Sequence, residues 1–159
     1  MPNELDERLH QTFIERGLTL SIAESCTGGA LAARLTRHPG CSRYLLVSIV
    51  AYSNEMKSKV LGVNPHTLAE IGAVSAAVVN QMAQGVQKLS GSDYSIAVSG
   101  IAGPDGGTPG KPVGTIWAAI LRKGDIPHIW TFQLQGSRHT IIEATVDHLI
   151  AQLLAELGH

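Results

Sequence analysis

The segment that most constrains the fold of this 159-residue chain is Leu18-Thr19-Leu20-Ser21-Ile22-Ala23-Glu24-Ser25-Cys26-Thr27-Gly28-Gly29. Its first half is rich in Leu, Ile and Thr, which predicts a strand over residues 18–23. Its second half is small and hydroxylated, and a helix is predicted to begin near Thr27 or Gly28. Such a turn lets a ligand approach the backbone closely where the strand ends.

A second segment repeats this arrangement further along the chain. The apolar run Tyr94-Ser95-Ile96-Ala97-Val98 predicts a strand, and Ser99-Gly100-Ile101-Ala102-Gly103-Pro104-Asp105-Gly106-Gly107 follows it as a loop. Two glycine-rich turns that each follow a strand predict a ligand pocket at one edge of a sheet.

The remaining periodicity completes an α/β pattern. Helices are predicted over residues 4–16, from about 27 or 28 to 35, and over 54–61, 65–72, 75–89 and 140–157. Strands are predicted over 44–52, 114–121 and 129–134, and the last two are expected to form a hairpin. The run from 44 to 52 is apolar on both faces, which is typical of a buried central strand. The order predicts an α/β three-layer sandwich in one domain over residues 1–159, with a mixed, mostly parallel sheet and helices on both faces.

Composition excludes several classes of protein. The chain is 44% hydrophobic and 16% charged with a formal net charge of −1, so it has no field to attract nucleic acid. No apolar run approaches ~18 residues, and the polar N-terminus does not resemble a signal peptide, so no membrane partner is expected. Cys26 and Cys41 lack a CxxC spacing and are expected to be reduced thiols in a cytoplasmic protein.

The glycine-rich turns do not match a known phosphate motif. The segment from Gly103 to Pro112 fails the Walker A pattern, and no G-x-G-x-x-G is present. Thr27, Gly28 and Gly29 could still form an anion cradle at a helix N-terminus, or they could be only a cap and a tight turn. Arg138 is a second candidate phosphate ligand or an exposed surface arginine.

Catalytic residues can be placed around the strand at 44–52. Ser42, Tyr52 and Lys57 flank it, and a lysine that loses solvent can act as general base for a serine hydroxyl. The alternative is that Lys57 is a solvated helix lysine. The histidines lack partners at metal-ligand spacing, so a metal site is not expected.

Several motifs together resemble the CinA C-terminal domain family over residues 5–157. They are Ala23-Glu-Ser-Cys-Thr-Gly-Gly29, Ala51-Tyr-Ser-Asn-Glu-Met-Lys57, Gly72-Ala-Val-Ser75, Ser99-Gly-Ile-Ala-Gly-Pro-Asp-Gly-Gly107 and Lys111-Pro-Val-Gly-Thr115. The resemblance implies an α/β sandwich. It also implies hydrolysis of the carboxamide of nicotinamide mononucleotide to nicotinate mononucleotide and ammonia, with no metal or organic cofactor.

The resemblance also implies roles for particular residues. Ser42 would be the nucleophile, with Tyr52 and Lys57 as its activating partners. The substrate-binding residues would be Ser25, Thr27, Gly28, Gly29, Ser99, Gly100, Gly103 and Arg138. The family further implies a homo-oligomer, a dimer or larger. Two alternatives stay open: a nucleotide-binding module without catalysis, and a metal-dependent phosphatase.

Overall fold

Strands and helices alternate along residues 3–158, which the computed structural model describes. In chain order the elements are α1 (Glu4–Arg16), β1 (Leu20–Glu24), α2 (Ala30–Leu35), a 3-10 turn (Cys41–Arg43), β2 (Leu45–Val50), α3 (Asn54–Leu61), α4 (Pro65–Glu70), α5 (Ala76–Ser90), β3 (Tyr94–Gly100), β4 (Thr115–Arg122), β5 (His128–Gln133) and α6 (Arg138–Gly158). Most predicted helices and strands are confirmed to within a few residues. Among the described residues, no helix is long and apolar enough to cross a membrane.

The five strands form one mixed sheet in the order β2-β1-β3-β4-β5. β1 pairs in parallel with β2 and with β3, whereas β4 is antiparallel to both of its neighbours. Four strands therefore run in one direction, and the predicted β4–β5 hairpin is confirmed. The ends of β2, β1 and β3, at Val50, Glu24 and Gly100, lie side by side, and we call this side of the sheet the carboxyl edge.

Helices cover both faces of the sheet, which confirms the predicted three-layer sandwich. On one side, Ile22 and Ile96 pack with apolar residues of α1, α2 and α6, and we call this side the α2 face. On the other side, Ala23 and Ala97 pack with residues of α3, α4 and α5, and we call this side the α5 face. Each strand thus alternates its side chains between two separate apolar cores.

Small residues allow α5 to lie close to the sheet. Ala23, Ala97 and Ala119 are fully buried beneath it. Within α5, a Cβ atom on Gly85 would lie 1.9 Å from the carbonyl oxygen of Leu61, so only glycine permits this contact. The last turn of α3 is therefore held against α5, which fixes the position of α3 above the carboxyl edge.

The expectation that residues 44–52 form a central strand is wrong. β2 pairs only with β1 and lies at the edge of the sheet, where Leu46 and Val50 are each 47% exposed. Apolar residues on both faces of β2 reflect contacts with both helical layers. That pattern carries no information on how many strands lie beside it.

Candidate active site

Ser25 directly follows the internal strand β1 and lies on the α5 face of the sheet. Its N–H donates to the carbonyl of Val98 at 3.1 Å, so the extended pairing continues one residue beyond the strand. Side chains in a strand alternate, and Ala23 faces α5, so Ser25 faces the same side. The Ser25 side chain is buried, and its hydroxyl has no hydrogen-bond partner among residues 3–158.

Lys57 is a buried lysine on α3. The hydroxyl of Ser53 caps this helix by accepting from the N–H of Met56 at 3.1 Å. Lys57 is 1% exposed, and its ammonium donates to the carbonyl of Tyr52 at 2.8 Å. No carboxylate of the described residues forms an ion pair with it. Burial lowers the pKa of Lys57, because desolvation disfavours the charged amine; interaction with Cys26 opposes this shift in part.

The structure brings Lys57 and Ser25 to the same side of the carboxyl edge. The N–H of Ala51 donates to the carbonyl of Glu24 at 3.0 Å, so the chain leaving β2 stays beside the end of β1. Tyr52, which binds the Lys57 amine, is the next residue. The electrostatic influence of Lys57 on Cys26, the neighbour of Ser25, agrees with this proximity.

Ser99 lies on the opposite flank of Ser25. Glu24 is in register with Val98, so the residues that follow them, Ser25 and Ser99, are neighbours on adjacent strands. Ala97 faces α5, and alternation therefore places the Ser99 side chain on the same face as Ser25. Two buried serines and a buried lysine thus share one edge of the sheet.

Arg138 connects three segments at this edge. From the first residue of α6, its guanidinium donates to the carbonyl of Gly103 at 2.9 Å and to the Tyr52 hydroxyl at 2.7 Å. It forms no ion pair with a carboxylate of residues 3–158. A guanidinium with spare donors and no counter-ion can bind a phosphate or carboxylate of a ligand.

Tyr52 contacts Lys57 differently from the prediction. Its side chain is 56% exposed and its hydroxyl accepts from Arg138, while its backbone carbonyl accepts from Lys57. The phenol was expected to help activate a serine. In the structure the backbone of Tyr52 is what positions the amine.

The glycines of the second turn are required by packing. A Cβ atom on Gly100 would lie 2.4 Å from Ile116 Cδ1, and one on Gly103 would lie 2.5 Å from Val113 Cγ1. These residues bring the chain close to β4 and let Gly103 offer its carbonyl to Arg138. Ligand binding by Gly100 and Gly103 stays a prediction.

The helix N-terminus at the start of α2, where an anion cradle was predicted, is capped by a side chain of the protein. The buried carboxylate of Glu24 accepts from Thr27 Oγ1 at 2.5 Å, from Leu31 N at 3.0 Å and from Ala32 N at 3.1 Å. It therefore replaces a ligand at the helix N-terminus.

Sequence reasoning did not single out Glu24, although its place directly before the serine turn was a possible signal. Gly28 and Gly29 form the turn with positive φ values of 59° and 101°, and they delay the start of α2 to Ala30. The N–H groups of Thr27 and Gly29 have no partner among residues 3–158, so substrate binding by Thr27, Gly28 and Gly29 stays a prediction.

The expected convergence of Ser42 with Lys57 is also wrong. Ser42 is exposed in the 3-10 turn that precedes β2, whereas Lys57 follows the other end of that strand. A strand of six residues spans about 20 Å. Ser42 and Lys57 thus lie at opposite edges of the sheet within one chain.

Cys26 is unsuited to act as the nucleophile in place of Ser25. Burial, followed by the nearby Glu24 carboxylate, raises the pKa of its thiol to about 12. The reactive form of cysteine is the thiolate, which is scarce at neutral pH under these conditions. Among residues 3–158, no group of three His, Cys, Asp or Glu side chains is arranged to hold a metal ion.

Comparison with known sequences identifies related proteins. The family model described as the CinA C-terminal domain matches residues 2–157. A CinA-like protein of Shewanella sediminis is 46% identical over 157 residues, which are 96% of this chain and 37% of that protein. A CinA-like protein of Citrifermentans bemidjiense is 49% identical over 142 residues, which are 89% and 34% of the two chains. The chain spans about a third of the length of these relatives.

Solved structures show the same fold over nearly the whole chain. A competence-damaged protein (CinA) superfamily protein from Klebsiella pneumoniae superposes with a TM-score of 0.94 at 38% identity, covering 98% of this chain and 97% of that one. The competence/damage inducible protein CihA from Agrobacterium tumefaciens gives 0.94 at 38% identity, covering 98% and 94%. These matches confirm the resemblance that the motifs predicted: the chain belongs to the CinA C-terminal domain family.

Proposed function

We propose that this chain is an amidohydrolase that converts nicotinamide mononucleotide to nicotinate mononucleotide and ammonia, with Ser25 as nucleophile and Lys57 as general base. The substrate is the one that the family resemblance implies. The observation that carries the proposal is the buried lysine, which has no carboxylate partner and lies on the same face and edge as a buried serine. Ser25 takes the role that was first expected of Ser42.

The reaction proceeds in two halves. Neutral Lys57 accepts the proton of Ser25, whose oxygen bonds to the carboxamide carbon while the carbonyl electron pair moves onto oxygen. When this intermediate collapses, the carbon–nitrogen bond breaks and the nitrogen takes a proton from the Lys57 ammonium to leave as ammonia. Water then cleaves the ester, with Lys57 again moving the proton, and releases nicotinate mononucleotide.

Burial of Lys57 supports its role as base. A solvated lysine is protonated at neutral pH, whereas lowering its pKa increases the fraction of free amine. The carbonyl of Tyr52 accepts a hydrogen bond from the amine and holds it beside the chain that leaves β2. The N–H groups of Thr27 and Gly29, which have no partner among residues 3–158, are backbone donors available to the developing oxyanion.

Arg138 supports a phosphorylated substrate. Its guanidinium is charged, forms no ion pair among the described residues and lies over the carboxyl edge beside Tyr52 and Gly103. A bidentate contact with phosphate would anchor the nucleotide tail while the carboxamide reaches Ser25.

We also propose a cytoplasmic location. Cys26 and Cys41 are both free thiols in the structure. Free cysteines are the usual state in a reducing compartment.

The assignment of the nucleophile is tested by ammonia release from nicotinamide mononucleotide. The purified wild-type chain is expected to release ammonia, and Ser25→Ala is expected to reduce the rate by at least ~10⁴-fold because the attacking oxygen is lost. Ser42→Ala is the matched control, and its rate should stay near that of the wild type.

The opposite pattern, with Ser42→Ala inactive and Ser25→Ala active, would reject Ser25. A wild-type chain that binds the nucleotide in calorimetry but releases no ammonia would instead be a nucleotide-binding module without catalytic activity.

Substitution of Lys57 should separate activity from stability. Lys57→Met is expected to lower turnover by at least ~10²-fold, because the base is lost. It should also raise the free energy of unfolding, because folding no longer buries an amine whose charged form it disfavours. Since the pKa of Lys57 is lower in the folded than in the unfolded chain, this gain is full below the folded pKa and vanishes as the pH rises past the ordinary lysine value.

Chemical denaturation at several pH values measures this difference. Lys59→Met is the control, because Lys59 lies on the same helix with its side chain 64% exposed. Its unfolding free energy should change by no more than ~0.5 kcal/mol. Loss of stability in Lys57→Met at neutral pH would contradict the account of a disfavoured charge.

We further propose that the chain forms a homodimer through β2 and α3. Large exposed apolar side chains concentrate there, namely Leu46, Val50, Met56 and Val60. On α3, the exposed Glu55–Lys59 pair at 2.7 Å flanks Met56 and Val60. Two copies of α3 packed antiparallel about a two-fold axis would place Glu55 of each copy opposite Lys59 of the other, so the charges are self-complementary.

Light scattering measures the mass in solution. The wild type is expected at twice the mass of the chain, and the double variant Met56→Asp/Val60→Asp is expected at the monomer mass with an unchanged circular dichroism spectrum. A monomeric wild type, or a double variant that still forms dimers, would reject this surface.

A further inference from the structure

Ser99 differs from Ser21 and Ser95, two other buried serines on the α5 face of the sheet. The Ser95 hydroxyl donates to the carbonyl of Ala83 at 2.8 Å, and the Ser21 hydroxyl lies 2.7 Å from that of Ser92. Ser99 is equally buried, with 1% of its surface exposed, yet its hydroxyl has no hydrogen-bond partner among residues 3–158. Within the described residues, Ser99 Oγ is not one of the fully enclosed polar atoms that lack a partner, which are His38 Nε2, Ser48 Oγ and Asn80 Oδ1, so it still opens onto a space that a ligand could reach.

The surroundings of Ser99 leave only one direction for a partner. In β4 the residue in register with Ser99 is Trp117, and no hydrogen bond joins their side chains. On its other flank is Ser25, one strand spacing of about 4.8 Å away. Neither neighbouring strand therefore supplies an acceptor for the Ser99 hydroxyl, which leaves it available to a substrate above the carboxyl edge.

The order of the groups along the edge separates their tasks. β1 lies between β2 and β3, so Ser25 lies between the Tyr52–Lys57 side and Ser99. In the proposed function, Lys57 takes the proton of Ser25 on the β2 side. A carboxamide carbon bonded to Ser25 has Ser99 on its other side.

We propose that Ser99 is a catalytic residue whose hydroxyl donates a hydrogen bond to the carboxamide oxygen as that oxygen becomes negative. This assignment rests on the proposed amidase function and goes beyond the substrate-binding role first expected of Ser99. No covalent bond to Ser99 forms or breaks, and its proton stays on its own oxygen. Its contribution is electrostatic and is largest in the transition state.

A donor to a developing oxyanion has a kinetic signature that a ground-state contact lacks. The neutral carbonyl of the bound substrate accepts a weaker hydrogen bond than the oxyanion does. Loss of Ser99 should therefore lower kcat with little change in KM.

The test compares Ser99→Ala with Ser95→Ala in the full chain, using steady-state ammonia release and thermal unfolding. Ser95 is the matched control, because it lies on the same strand and face but has a partner. Ser99→Ala is expected to lower kcat by ~10²-fold or more, to leave KM within about threefold, and to leave Tm unchanged or higher. Ser95→Ala is expected to lower Tm and to keep kcat.

Other outcomes overturn the assignment. Unchanged kcat in Ser99→Ala removes Ser99 from catalysis, and a raised KM with unchanged kcat makes it only a binding group. A lower Tm with a matching loss of folded enzyme makes its role structural. A wild type that releases no ammonia removes the proposed function and this assignment with it, whereas an active wild type with an equally active Ser99→Ala overturns Ser99 alone.

Discussion

The site depends on one constraint: a lysine amine is buried without a carboxylate to balance its charge. Lys57 is almost fully enclosed, and the only hydrogen-bond partner of its amine among residues 3–158 is the carbonyl of Tyr52. Such an arrangement is costly for the charged amine and tolerable for the neutral one. It lowers the pKa of Lys57, which is the property that the proposed general base requires.

The fold provides this constraint through a few backbone contacts. Parallel pairing of β1 with both β2 and β3 brings the three strand ends to one edge. Gly85 lets α3 dock on α5. Glu24 caps α2 and anchors the turn that carries Ser25. Glu24 thereby occupies the N-terminus of α2, and Arg138 is a charged group at this edge that forms no ion pair among residues 3–158.

Much of the fold could be predicted because local pattern and local structure agree. Periodicity located α1, α3 and α5, and a glycine directly follows each of these helices. The edge position of β2 could not be predicted, because strand order is set by crossovers between distant segments. An apolar run has the same sequence pattern in a central strand and in an edge strand of a sheet.

Individual residues of the candidate site could be predicted from the sequence, but which serine lies near Lys57 could not. Lys57, Ser25 and Arg138 were recognised from their residue types and motifs. Ser42 was paired with Lys57 because both flank β2 in sequence. The two residues lie beyond opposite ends of that strand, which are about 20 Å apart. Glu24 was missed because it caps a helix from six residues upstream, a distance that only the folded turn reveals.

The most direct test of this account is an NMR titration of the Lys57 side chain in the folded protein. Lysine labelled with ¹³C at Cε reports the charge of each amine, and the Lys57 signal is identified by its absence in Lys57→Arg. The account predicts a titration midpoint clearly below the ordinary value for lysine. A midpoint at or above that value would show that the buried amine stays charged, and it would contradict the central claim.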